Sequence, residues 1–194
     1  MPIRRAARKI EVPLPIRLDK LTEVLRINGV PVYVHWSVWA IVAVVLFNVI
    51  RHPLESLLGI VAYLSVLLIH ETGHLIAAER MHCEVHSIRL YPICGVTSLE
   101  MPWSKFDDCV IAWGGVIAQA VVAVPIVLVV TVFGYSRFEA INAVLALLGF
   151  FSLGVAIFNL LPVKPLDGAI AWAIIPEAFK RIREKRERRP PAWR

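Results

Sequence analysis

The pentapeptide His70-Glu71-Thr72-Gly73-His74 interrupts an apolar run. It is preceded by Leu57-Leu58-Gly59-Ile60-Val61-Ala62-Tyr63-Leu64-Ser65-Val66-Leu67-Leu68-Ile69 and followed by Leu75-Ile76-Ala77-Ala78. Histidines four apart share one face of a helix, the spacing that lets two imidazoles grip one metal ion. Ionisable side chains at membrane depth cost about 2.5–3.5 kcal/mol each, so three together in a spanning helix argue against accident. The stretch predicts a metal centre inside a bilayer.

Composition agrees with that placement. The chain has 194 residues, 58% hydrophobic and only 19% charged, and its mean hydropathy is +0.67. Soluble domains run at about 45–50% apolar and about 25% charged, so the chain reads as one membrane domain. The net charge of +6 sits at the ends. Arg4, Arg5, Arg8, Lys9, Arg17, Lys20 and Arg26 outnumber Glu11, Asp19 and Glu23, and the stretch from Lys180 to Arg189 is denser still. Basic ends beside several spans are cytoplasmic retention signals near anionic lipid more simply than a nucleic-acid surface, so no nucleic-acid partner is expected. Cys83, Cys94 and Cys109 form no C-x-x-C pair, which argues against a disulfide framework. The first apolar run begins after more than thirty residues and lacks a small-residue cleavage pattern, so no cleavable signal peptide is expected.

Four apolar stretches predict spans over about 35–50, 54–78, 110–134 and 140–163, the first of them short. Pro125 is expected to kink the third. Both termini are basic while the turns at Arg51-His52-Pro53 and Gly134-Tyr135-Ser136-Arg137 are weakly charged. Four spans with the positive-inside rule put both ends in the cytoplasm and the His70–His74 motif toward the cytoplasmic end of span two. Between spans two and three, Val85–Leu90 and Val96–Glu100 flank a Pro/Gly turn and read as a β-hairpin, with Val30–His35 as a further strand. Leu18, Leu21 and Leu25 with intervening charges read as a short interfacial helix. The fold class expected is a helical polytopic membrane protein with about four spans, a small membrane-associated sheet and a broken helix at the metal site. Its parts are a basic N-terminal segment (1–29), a core (30–176) and a basic tail (177–194).

A catalytic zinc takes three protein ligands and leaves a fourth position open for water. Asp167, in Phe158-Asn159-Leu160-Leu161-Pro162-Val163-Lys164-Pro165-Leu166-Asp167-Gly168, is the outstanding candidate to join His70 and His74. Pro162 and Pro165 force the chain out of helix just before it. Irregular backbone at membrane depth is tolerated only where it is buried or lines a watery cavity. Glu71 is rotated about 100° from His70, away from the two imidazoles, and is placed to take a proton from the metal's water. Asn159 offers an amide to orient substrate, or alternatively a capping or interhelical hydrogen bond. His82, Cys83 and His86 are a weaker metal candidate, His35 is expected to make an interfacial hydrogen bond, and Trp36, Trp39, Trp103 and Trp113 fit interfacial belts.

Together H-E-x-x-H in a span, N-L-L-P-x-x-P-L-D-G after a later span, and Gly29-Val30-Pro31-Val32-Tyr33-Val34-His35-Trp36-Ser37 before the first resemble the site-2 protease family of intramembrane zinc metalloproteases. The resemblance extends to Tyr91–Glu100 and Ala112–Gly115 and covers roughly 28–175. It implies His70, His74 and Asp167 as ligands of one zinc ion, Glu71 as base, and Asn159 near the substrate. It also implies that the hairpin bearing Gly95 pairs with an unwound transmembrane substrate, since a helix hides its peptide bonds. It further implies regulated intramembrane proteolysis in a prokaryotic plasma membrane, by a minimal core with no room for PDZ or CBS domains. Two positions depart from the family pattern. Gly114-Gly115-Val116 lacks the usual proline, with Gln119 where an asparagine is usual, and Cys94-Gly95 replaces a pair of glycines.

Two other functions compete. A silent relative that binds transmembrane segments without cutting them would have lost a ligand or Glu71, and neither is lost. A metal or proton transporter would spread ionisable residues through several spans, whereas spans three and four are uncharged.

Overall fold

The computed structural model describes residues 21–47, 49–93, 95–100 and 102–187. The chain opens with strands β1 (Leu21–Ile27) and β2 (Val30–His35), followed by helices α1 (Trp36–Leu46) and α2 (Pro53–Arg80). Strands β3 (Val85–Leu90) and β4 (Gly95–Leu99) lead to α3 (Lys105–Phe133). Helix α4 (Glu139–Asn159) closes the apolar part, and α5 (Gly168–Ala171) and α6 (Ile174–Glu187) complete the fold.

Three helices, α2, α3 and α4, are long and apolar enough to cross a membrane. The first expected span is shorter than its apolar run: α1 has 11 residues, about 16 Å against a hydrocarbon core of about 30 Å. Phe47, Val49 and Ile50 of the apolar run lie in the turn that leads to α2, which starts with Pro53 at its first position. Helix α3 carries Pro125 in its interior and continues through it. Helix α4 passes through a π-helical segment at Ala146–Phe151, where Gly149 leaves room for Ile126 of α3.

The expected hairpin and strand form one four-stranded sheet in the order β1-β2-β3-β4. β1 and β2 are antiparallel, β2 and β3 parallel, and β3 and β4 antiparallel. The interfacial helix expected around Leu21 and Leu25 is corrected: those residues are in β1, while Leu18 lies outside the described residues. The Asn28-Gly29 turn explains this. Both residues have positive φ, 50° and 84°, the condition for the two-residue turn that folds a strand back on its neighbour. That local geometry outweighs a weak helical spacing of leucines.

The sheet packs on α2 through Val32, Val34, Ile88 and Leu90 against Tyr63, Leu67 and Leu75. Tyr63 also donates a 2.8 Å hydrogen bond to the Pro92 carbonyl. Tyr63 lies two helical turns before His70, so the turn of the β3–β4 hairpin runs alongside the apolar half of α2. Helix α2 meets α3 at Gly73 and Gly114, whose backbones touch where a Cβ on either would clash. Such contacts between small residues are how membrane helices approach closely.

Candidate active site

His70 and His74 lie one turn apart on α2, 5% and 6% exposed, and face α3. Each ring is held at Nδ1. The His74 Nδ1 lies 2.7 Å from the Ile111 carbonyl, and the His70 Nδ1 lies 2.9 Å from Gln119 Oε1. Both partners only accept, so each Nδ1 carries a proton, and a neutral ring so held turns its Nε2 lone pair the other way. Ile111, Gly115 and Gln119 are spaced by four and form one stripe of α3. A side chain at Gly115 would run into both imidazoles.

The two Nε2 atoms are 3.0 Å apart, and Asp167 Oδ2 lies 3.0 Å from one and 3.3 Å from the other. With both rings neutral and protonated at Nδ1, no proton lies between these three atoms and they converge as acceptors. Three converging lone pairs repel unless a cation lies among them. Ligands at about 2.0–2.1 Å around a tetrahedral zinc are about 3.3 Å apart, which the observed triangle matches. The donor set therefore fits zinc.

Asp167 reaches this position because α4 ends at Asn159 and the proline-bearing loop returns toward α3. Two tryptophans anchor the loop. Trp113 donates to the Ala171 carbonyl at 2.9 Å and Trp172 to the Leu160 carbonyl at 2.7 Å, and their rings meet edge to face at 5.6 Å. Trp113 thus tethers the loop, whereas Trp36, Trp39 and Trp103 are exposed as belt residues would be.

Glu71 is 1% exposed and lies under β4. Alternation along the strand puts Gly95 and Thr97 on the same face. Gly95 leaves the space its carboxylate occupies, and Thr97 Oγ1 donates to Glu71 Oε2 at 2.6 Å. The other oxygen, Oε1, has no partner among the described residues. Asn159 is buried at the end of α4, and among the described residues its Nδ2 makes neither a capping nor an interhelical hydrogen bond. Thr97, Gln119 and the Ile111 carbonyl are site components the motifs did not reveal. Gln119 was visible only as a departure from a pattern.

The other candidates separate from the site. His82 and His86 are exposed while Cys83 is buried, and they form no metal-holding group among the described residues. Burial pushes the Cys83 thiol up, with Asp107 adding to it. His35 caps α1, its Nδ1 2.6 Å from Ser37 Oγ. His52, Glu55 and Glu139 gather at the far end of α2. There both glutamates lie in helix first turns, a favoured position for an acid in its own right.

No family model matches the chain. It is 31% identical over 177 residues to "Putative zinc metalloprotease sll0528" of Synechocystis, covering 79% of this chain and 45% of that protein. It is 32% identical over 158 residues to "Putative zinc metalloprotease Rip3" of Mycobacterium tuberculosis, covering 74% of this chain and 40% of that protein. The fold matches the Site-2 Protease from Methanocaldococcus jannaschii with a TM-score of 0.61 at 22% identity, over 81% of this chain and 72% of that one. The chain belongs to the site-2 protease family. It spans less than half the length of the curated relatives it matches. This site-2 protease relative is a mostly helical membrane protein with a small sheet beside the helix that bears His70 and His74.

Proposed function

We propose that the chain is an intramembrane zinc metalloprotease that hydrolyses a peptide bond in or near a transmembrane segment. The observation that carries this reading is the convergence of His70 Nε2, His74 Nε2 and Asp167 Oδ2 within 3.3 Å beside the buried Glu71 carboxylate. His70, His74 and Asp167 would hold one zinc ion. Zinc bound there supplies a water acidified to a pKa of about 7 and polarises the scissile carbonyl. Glu71, fixed through Oε2, offers Oε1 as the base that takes the water's proton and later delivers it to the leaving amine. Asn159 Nδ2, buried without a partner among the described residues, is a donor for the substrate backbone.

β4 ends the sheet, so among the described residues its outer edge is free to pair with an extended substrate strand next to Glu71. Adding a substrate strand beside Gly95 would expose its peptide bonds at the site, which a helical substrate cannot do.

The sheet packs along α2 from Tyr63 to Leu75, whereas α2 begins at Pro53, beyond that contact. Residues 36–52 must therefore travel that distance. This supports a reading in which both ends of the chain share the site's side, with the basic ends in the cytoplasm of a prokaryotic plasma membrane. Cleavage of a co-expressed transmembrane substrate by the wild type, lost in Glu71→Gln, tests the proposal; full activity of Glu71→Gln sinks it.

A further inference from the structure

We propose that Gln119 is a positioning residue for the metal centre: it fixes the tautomer and ring orientation of His70 and thereby sets zinc affinity. This rests on the zinc reading above. The two imidazoles are anchored on the same stripe of α3 but by different means. His74 is held by a main-chain carbonyl, at Ile111, which no substitution removes. His70 depends on a side chain, Gln119 Oε1 at 2.9 Å.

A neutral imidazole has one donor and one acceptor nitrogen, and a bond from Nδ1–H to Gln119 Oε1 leaves Nε2 as the acceptor facing Asp167 and His74. Without an acceptor at position 119, nothing at that end of the ring favours the metal-binding tautomer. Gln119 is fully buried, and its Nε2 finds no partner among the described residues. A buried unpaired donor costs stability. An apolar residue of similar size would avoid that cost, so packing alone does not explain a glutamine here. Its Oε1 contact with His70 does.

The test uses the full chain in detergent, stripped of metal and titrated with zinc alone against a competing chelator. It compares wild type, Gln119→Met and Gln119→Glu. Gln119→Met removes the acceptor while keeping the length, and its zinc Kd is expected to rise about 10–100-fold, the usual effect of losing such a partner. Gln119→Glu keeps an acceptor and makes it stronger, so it is expected to bind zinc at least as tightly as wild type.

A merely structural role would shift the thermal midpoint of the metal-free protein and leave Kd unmoved. An unchanged Kd in Gln119→Met overturns the proposal, as does a Kd for Gln119→Glu weakened as much as that of Gln119→Met. Should Gln119→Met fail to fold, the glutamate variant decides alone, and weaker binding there overturns the proposal. A wild type that binds no zinc overturns the metal reading and this inference together, whereas a wild type that binds zinc indifferently to residue 119 overturns the inference only.

Discussion

Thr97 Oγ1 donates a 2.6 Å hydrogen bond to Glu71 Oε2, joining the edge strand β4 to the carboxylate that lies between His70 and His74 in sequence. The strand that would receive the substrate is thus also the strand that orients the proposed base. One oxygen of Glu71 is tied down and the other is left for chemistry.

Removing that tie should slow catalysis without releasing metal. Thr97→Val keeps the shape and loses the hydroxyl. It is expected to lower the cleavage rate of a co-reconstituted transmembrane substrate about tenfold, or about 1.4 kcal/mol of barrier, with zinc content unchanged. Thr97→Ser should restore the rate. A Thr97→Val enzyme as fast as wild type would show that the bond does not orient the base.

Two glycines should fail in different ways. A Cβ at Gly95 would land on the Glu71 carboxylate, and one at Gly115 would land on both imidazoles. Gly95→Ala is therefore expected to keep zinc and lose activity by about 10²-fold or more, the usual range for a displaced general base. Gly115→Ala is expected to lose zinc as well. Measuring zinc content and cleavage on both variants checks this, and equal zinc content would contradict the assignment of Gly115.

Much of the candidate site's geometry was legible because its residues lie close together in sequence or beside a clear break in the chain. His70, Glu71 and His74 lie within five residues, and Asp167 announces itself by the prolines that break the chain before it. Its supports were not legible. Thr97, Ile111 and Gln119 meet Glu71, His74 and His70 across 26, 37 and 49 residues, and a threonine in a strand or a glutamine in a helix carries no motif of its own. The sheet was legible in three strands. The fourth, β1, was hidden by leucines spaced as in a helix, although Asn28-Gly29 marked the turn. The first span was overestimated because apolar residues continue past Leu46 into the turn before α2.

The loop anchors should contribute modestly to stability. Trp113→Phe leaves the Ala171 carbonyl without its 2.9 Å donor and is expected to cost about 1 kcal/mol, the typical net value of one hydrogen bond. Thermal unfolding in detergent reads the change. An unchanged midpoint would remove Trp113 from the account of how Asp167 is held.

Cys83 should be a poor nucleophile. It is 5% exposed, and burial raises its thiol's pKa, so less thiolate is present at neutral pH. In a variant retaining only this cysteine, alkylation by a polar maleimide at neutral pH is expected to be slow and to accelerate as pH rises. Mass spectrometry of intact protein follows it. Rapid labelling at neutral pH would contradict the burial and reopen His82-Cys83-x-x-His86 as a metal candidate.

The central claim is that Asp167 completes a zinc centre begun by His70 and His74, and metal content per chain tests it most directly. Purified wild type and Glu71→Gln are expected to hold one zinc per chain, and His74→Ala and Asp167→Ala to hold none. An Asp167→Ala protein that keeps wild-type zinc would contradict the account.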